Sequence, residues 1–237
     1  MRYRLSVHRS LSSTMDEARA LATSGVAEGA VVQALTQTSG RGRFGNQWES
    51  ADGNLLMTVL LRPKKSLQEC AQLSFVTAVA LAQACDEFGV GGLQLKWPND
   101  ALVNGQKLAG ILLEMEGSGD APDFLLVGVG VNVASAPEGR AKLQDQNQDV
   151  DAATFREAFL IRLAQWYDVW SRDGFGSVRA AWVKRAYGLG QPITARLTNT
   201  QITGTFVDID KNGALVMTDK ETGKARMISG GEIHFGS

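Results

Sequence analysis

Gly40-Arg41-Gly42-Arg43-Phe44-Gly45-Asn46-Gln47-Trp48 is the stretch that decides how the rest of the chain is read. Its three glycines let the backbone come close to a ligand, and its two arginines carry guanidinium forks that match carboxylate or phosphate oxygens. Apolar runs of strand length flank it, Ala30 to Leu35 before and Leu55 to Leu61 after, so the loop joins two strands. That sets aside the dinucleotide-binding reading of Gly40-x-Gly42-x-x-Gly45, which needs a helix after the glycines and an acidic residue about twenty positions on. Here Asp52-Gly53-Asn54 leads into another strand, and the acidic position falls within Leu60-Leu61-Arg62-Pro63. Taken alone, Arg41 and Arg43 read as solvated loop charges.

Two further segments change that reading. Lys96-Trp97-Pro98-Asn99-Asp100 ends a strand, Leu93 to Trp97, with a rigid proline and two polar side chains. After a short strand, Ala101 to Val103, the dipeptide Asn104-Gly105 favours a type I′ hairpin turn, which puts Lys107 at the start of the returning strand Lys107-Leu108-Ala109-Gly110-Ile111-Leu112-Leu113-Glu114. Gly128-Val129-Gly130-Val131, within a strand from Phe124 to Val133, offers small residues against which a ligand or another backbone can approach, with Asn132 at its end. One basic, polar pocket is expected from these pieces, with Trp97 and Leu108 packing behind it.

The remaining pattern alternates strands and helices. Tyr3, Leu5 and Val7 alternate as in a strand. Ser13-Thr14-Met15-Asp16-Glu17 opens a helix that Gly25 ends, and Thr14 with Glu17 forms a capping box, so the local role of Thr14 is to cap, with ligand contact open as a second role. Ser66 and Glu69 form another box before a single long helix reaching Phe88-Gly89. Cys70 and Cys85 fall in that helix about 22 Å apart, beyond disulfide reach, and read as buried thiols. Ala134 to Asp151 is polar and aperiodic, a mobile surface loop. Thr154 and Glu157 cap a helix bearing Phe155, Phe159, Leu163, Trp166 and Trp170, and another helix runs from Ser177 to Ala186. Beyond Leu189-Gly190 come short strands, Pro192 to Leu197, Gln201 to Asp208, Ala214 to Thr218 and Ala225 to Ile228, at barrel-like spacing. The expected architecture is α+β, a larger domain over residues 1–187 followed by a small β-barrel over 188–237.

Composition bounds the function. The chain has 237 residues, 44% hydrophobic and 21% charged, with net charge -1, so no general basic field draws it to nucleic acid or an anionic membrane. The N-terminal Met1-Arg2-Tyr3-Arg4-Leu5 lacks the apolar run of a signal peptide and no span of eighteen apolar residues occurs, which gives a cytoplasmic expectation. His8 and His234 have no Cys or His partner at metal-ligand spacing, so neither a zinc site nor Ser-His catalysis is expected, and no all-protein metal site is assigned.

As an ordered set, the three motifs resemble the biotin protein ligases. The resemblance extends from about Ser12 to the C-terminus, more weakly through Gly128 to Asn132, Lys211-Asn212-Gly213-Ala214-Leu215 and Gly230-Gly231-Glu232-Ile233. It implies a biotin/lipoate ligase-like catalytic domain of mixed sheet and packed helices with an SH3-like C-terminal barrel. The implied activity joins biotin to ATP as biotinyl-adenylate and then passes biotin to a lysine of a biotin carboxyl carrier protein. Mg²⁺ would arrive with ATP. The residue types suit that chemistry independently: a carboxylate attacking the α-phosphate needs no general base, only fixed cations and N-H donors.

Carried over residue by residue, the resemblance gives Ser13, Thr14 and Gln37 to the biotin ring and the backbone of Arg41, Gly42 and Arg43 to its carboxylate, with Gly110 beside it. Lys107 would contact carboxylate and phosphate oxygens as a catalytic cation with Arg41 and Arg43, and Asp100 would lie beside the reacting centre. Trp48 would anchor the folded loop, and Asn46, Asn99 and Asn132 would lie on the adenylate side. Asn46 stands where an arginine is usual, and Phe44 where a basic or polar residue is common. Some relatives carry an N-terminal DNA-binding domain, for which there is no room before Ser13. The alternatives are a lipoate or octanoate ligase or transferase, or a biotin-binding regulator without chemistry. RNA binding is opposed by the charge balance and by the lack of aromatic residues interleaved with basic ones. The chain is not itself a carrier, since it has no lysine in Met-Lys-Met surroundings. Oligomeric state is left open between monomer and homodimer.

Overall fold

The computed structural model describes residues 2–197 and 200–235. Its larger unit runs β1 (Arg4–Leu11), α1 (Thr14–Thr23), β2 (Ala30–Gln37), β3 (Leu55–Leu61), α2 (Leu67–Cys70), α3 (Leu73–Glu87), β4 (Leu93–Lys96), β5 (Asp100–Val103), β6 (Gln106–Glu116), β7 (Phe124–Val131), α4 (Ala152–Asp173) and α5 (Gly176–Val183). The strands form one mixed sheet in the order β1-β2-β3-β7-β6-β5-β4. Only β1 and β2 are parallel, joined through α1, and every other pair is antiparallel.

The run Leu55-Leu56-Met57-Thr58-Val59-Leu60-Leu61 is buried throughout because β3 is covered on both faces. Leu55, Met57, Val59 and Leu61 pack with Val127, Val129, Val131 and α3. On the opposite face Leu60 and Leu126 meet Met15, Ala18 and Ala22 of α1. Helix α3 is apolar all round and lies buried with α4 beside it, as such a helix must. Farther along the α1 face the register sets Gly130 opposite Leu56 and Gly110, and Gly128 opposite Thr58 and Leu112. Beyond the start of α1 the sheet therefore presents a bare glycine floor.

The second unit is an antiparallel sheet of β8 (Pro192–Arg196), β9 (Gln201–Ile209), β10 (Leu215–Asp219), β11 (Ala225–Ile228) and β12 (Glu232–Phe235), ordered β11-β10-β9-β8-β12. Strand β12 was not anticipated, since its four residues carry a single buried apolar side chain, Ile233, and pairing with β8 defines it. The two units are bolted together: Trp97 Nε1 donates to the Gly213 carbonyl at 2.9 Å, and residues 185–187 pair with Leu95 on the edge of β4 before entering β8.

Several local expectations are corrected. The strand expected around Leu5 and Val7 is present as β1, and both side chains are exposed, 43% and 52%, because β1 is the edge strand and α1 covers its neighbours instead. The helix expected from Ser66 to Phe88 is broken at Ala71-Gln72; the Ser66–Glu69 capping box is present, but Cys70 ends α2 while Cys85 lies in α3. Both thiols are buried, and burial pushes Cys70 up to about 11. Ser13, not Thr14, caps α1, with its Oγ accepting from Met15 N, and Asp151, not Thr154, caps α4. The segment 134–151 is not a loose loop: Ala141, Leu143 and Val150 are buried, and the backbone N-H groups of Ala141 and Leu143 donate to the carbonyls of Lys107 and Asn132.

Candidate active site

A cavity of about 330 Å³ stands on the glycine floor, walled by the start of α1, the 41–48 loop, the segment 96–100, Lys107, Arg140 and residues 231–234 of the second sheet. The loop folds as a miniature ribbon. Arg41 and Gln47 form a bridge, Gly42 N donates to Asn46 O at 2.7 Å, and Trp48 N donates to Gly40 O at 3.0 Å. Its tip turns at Phe44, whose φ of 55° lies in the left-handed region and whose ring is 63% exposed. Trp48 lies flat on the floor, and the glycines are the reason it can: a Cβ at position 130 would sit 2.4 Å from its ring, and one at position 110 would sit 3.0 Å away. Trp48 Nε1 is buried there with no hydrogen-bond partner among the described residues.

At the other end of the cavity a polar chain runs inward. Gln37 Oε1 accepts from Thr14 N at 2.7 Å and from Thr14 Oγ1 at 3.0 Å, and Thr58 Oγ1 donates to Thr14 Oγ1 at 2.8 Å. Thr14 therefore bonds to Gln37 and Thr58 rather than forming a capping box, and Ser13 supplies the cap from a nearly fully buried position. Buried hydroxyls are satisfied in this way, and the spare Gln37 amide group is left at the cavity wall.

The cations fall into two groups. Arg41 donates both terminal nitrogens to Asp16, at 3.0 and 2.7 Å, and its Nε lies 3.7 Å from Glu114. Those hydrogen bonds hold the Asp16 carboxyl below the usual carboxylate range. Lys107 Nζ lies 2.7 Å from Asp100 Oδ1 and 5.6 Å from the centre of the Trp48 ring. The Asp100 contact is a charge pairing, since Oδ1 makes no directed hydrogen bond. Arg43, by contrast, meets no carboxylate within 4.0 Å among the described residues; it donates to Asn99 Oδ1 at 3.2 Å and lies over the Phe44 ring. Burial lowers the Arg43 pKa, and a guanidinium keeps its charge nonetheless.

Of the residues expected from the sequence, Ser13, Thr14, Gln37, Arg41, Gly42, Arg43, Asn46, Trp48, Asn99, Asp100, Lys107 and Gly110 all line this cavity. Asn99 is spanned between the loop and β6, its Nδ2 donating to Ile111 O at 2.6 Å. Asn132 is outside the cavity wall; buried, it donates through Nδ2 to Ala141 O at 3.0 Å and braces the 141–143 segment. Sequence reasoning missed Thr58, although it is the one polar residue in its seven-residue apolar strand. It also gave no role to Lys96, Arg140 or the wall from 231 to 234, which are distant in sequence and meet only in the fold. Among the described residues no group of three His, Cys, Asp or Glu side chains could hold a metal, and no helix is long and apolar enough to cross a membrane.

A small basic cavity closed by an Arg-Gly loop is a site for a compact anionic substrate, not for a polymer. Comparison with known proteins agrees. Residues 7–132 match the model of the biotin/lipoate A/B protein ligase family, and residues 188–236 match that of the biotin protein ligase C-terminal domain. The chain is 39% identical to a biotin--[acetyl-CoA-carboxylase] ligase of Paracoccus denitrificans, covering 94% of this chain and 97% of that one. It is 34% identical to the bifunctional ligase/repressor BirA of Bacillus subtilis over 90% of this chain and 69% of the relative. The structure of a biotin protein ligase from Aquifex aeolicus in complex with biotin and ATP superposes with a TM-score of 0.83 at 27% identity, covering 98% of both chains. The chain belongs to the biotin protein ligase family.

Proposed function

We infer that this chain is an ATP-dependent ligase that activates biotin as biotinyl-5′-AMP and transfers the biotinyl group to a lysine of the biotin carboxyl carrier protein of a biotin-dependent carboxylase. The observation that carries this reading is the convergence of Arg41, Arg43 and Lys107 on one cavity that also holds the Ser13-Thr14-Gln37 polar end. Two anionic reactants repel each other, so the catalytic need is fixed positive charge. The biotin carboxylate oxygen bonds to the α-phosphorus, the bond from that phosphorus to the bridging oxygen breaks, and the electron pair leaves on pyrophosphate. No proton need be moved in that step.

In this reading Ser13, Thr14 and Gln37 bind the ureido end of biotin, the backbone of residues 41–43 wraps its carboxylate, which Lys107 also contacts, and Gly110 keeps the path open. Arg43, Asn46 and Asn99 face the adenylate, Trp48 closes the floor, and Asn132 supports that side by fixing the neighbouring segment. Lys107 is held by Asp100 until an anion arrives to share it. Mg²⁺ enters as part of MgATP. A cytoplasmic location and a catalytic domain over 1–187 with an SH3-like domain over 188–237 complete the proposal. Biotin-dependent exchange of labelled pyrophosphate into ATP, followed by transfer to a purified carrier domain, tests it. Exchange with lipoate in place of biotin would favour the lipoate branch, and biotin binding without exchange would favour a regulator.

A further inference from the structure

Of the three cations given catalytic roles, Arg41 is neutralised by Asp16 and Glu114 and Lys107 by Asp100, while Arg43 meets no carboxylate within 4.0 Å among the described residues. Further unneutralised charge lies in the same cavity. Lys96 and Arg140 both line it, and neither meets a carboxylate within 4.0 Å among the described residues. Lys96 is the last residue of β4, directly across the ladder from Asp100, so its ammonium enters the cavity next to the Asp100–Lys107 pair. Its Nζ lies 5.6 Å from the centre of the Phe235 ring, which fixes it against β12. Arg140 arrives from the pinned segment that hydrogen-bonds to Lys107 O through Ala141 N at 3.1 Å. Burial and the neighbouring charges of Lys107 and Arg140 act together to lower the Lys96 pKa, partly opposed by Asp100 and Glu232. Like charges held together across a cavity wall are unfavourable unless an anion of several charges joins them.

We propose that Lys96 and Arg140 form the subsite for the β- and γ-phosphates of ATP and hold pyrophosphate as it leaves. The assignment rests on the ligase reading above. It also accounts for Asn46: the loop presents no third arginine to the polyphosphate, and the second wall supplies the charge instead. A polyphosphate fits the place better than an acidic carrier protein does, because a folded domain cannot enter about 330 Å³ and Lys96 is half-buried inside it. As the bond to the bridging oxygen breaks, charge accumulates on the departing pyrophosphate, and two cations on that wall stabilise it without moving a proton.

The test compares Arg140→Ala, Lys96→Met and Lys96→Arg with wild type in biotin-dependent pyrophosphate exchange. Removing either cation is expected to raise the KM for MgATP roughly tenfold and to weaken inhibition by pyrophosphate in parallel. The affinities for biotin and for preformed biotinyl-adenylate, which lack those phosphates, should stay within about twofold, and Lys96→Arg should recover most of the loss. Arg140 is exposed, so its variant folds even if Lys96→Met does not. An unchanged KM for MgATP overturns the subsite, as does an equal loss of adenylate affinity or a loss confined to the carrier in the transfer step. Absence of exchange in the wild type would overturn the ligase reading and the subsite with it, which separates the two failures.

Discussion

At the scale of single residues, the site works by charges that have partners to exchange. Lys107 is positioned by the Asn104-Gly105 turn, both of whose residues have positive φ, 51° and 77°, as a type I′ turn requires. With Asp100 at 2.7 Å the lysine is oriented before substrate binds. Lys107→Ala should slow adenylate formation by roughly 10²-fold, the scale of one lost preorganised electrostatic contact, with thermal unfolding little changed. Single-turnover rates within a few-fold of wild type would remove Lys107 from the chemistry. Asn46 offers an amide where the resemblance of the loop leads one to expect an arginine, and it lines the cavity. Asn46→Arg should therefore slow dissociation of biotinyl-adenylate, measured as retention of labelled adenylate after rapid dilution; an equal off-rate would show that another group already does the work.

At the scale of elements, the 41–48 ribbon is held by few apolar anchors, chiefly Trp48 on its glycine floor, and by an exposed ion pair from Arg41 to Asp16. Exposed pairs contribute only about 0.2–1 kcal/mol, so the ordering entropy of the ribbon is poorly offset until an anion occupies Arg43 and the loop N-H groups. Trypsin should cut at Arg41 or Arg43 in the ligand-free protein, with biotin suppressing cleavage and ATP suppressing it further. Equal rates with and without ligand would refute a ligand-ordered loop. Gly130→Ala tests the anchor itself. The added methyl displaces the Trp48 ring, and overpacking of this kind costs about 1–3 kcal/mol. Faster cleavage of the free ribbon should accompany it, and an unaltered digestion pattern would show that the ring is not what holds the loop.

At the scale of the whole molecule, the second sheet completes the cavity with residues 231–234, so its attachment is a functional matter. The buried Trp97 indole is the central bolt, since its N-H reaches the Gly213 carbonyl across the junction. Trp97→Phe keeps an aromatic ring there but leaves that carbonyl without its donor, a loss of about 1–3 kcal/mol to which the smaller ring adds a packing cost. Denaturant unfolding should show that loss together with a raised KM for MgATP, because Phe235 and the 231–234 wall move with the sheet. A stability loss with an unchanged KM would mean that the junction only holds the units together.

What the sequence determined by itself was the placement of strands and turns along the chain. The Gly-Arg loop between two apolar strands, the Asn-Gly hairpin that delivers Lys107, and the turn-rich C-terminal strands each follow from neighbours within a few residues. The residue types also set the chemistry, because arginines and a lysine among glycines can bind anions whatever surrounds them. Tertiary structure decided what depends on distance. It put Ser13 rather than Thr14 at the cap because Thr14 had partners in Gln37 and Thr58, from two other strands. It exposed Leu5 and Val7 by making β1 an edge, and it pinned the polar 141–143 segment through carbonyls of Lys107 and Asn132. It alone set which cations are neutralised: Asp16 and Glu114 reach Arg41 across α1 and β6, while Lys96 and Arg140 converge without a carboxylate within 4.0 Å among the described residues. Charge pairing is governed by separation in space, and no spacing along a chain records it.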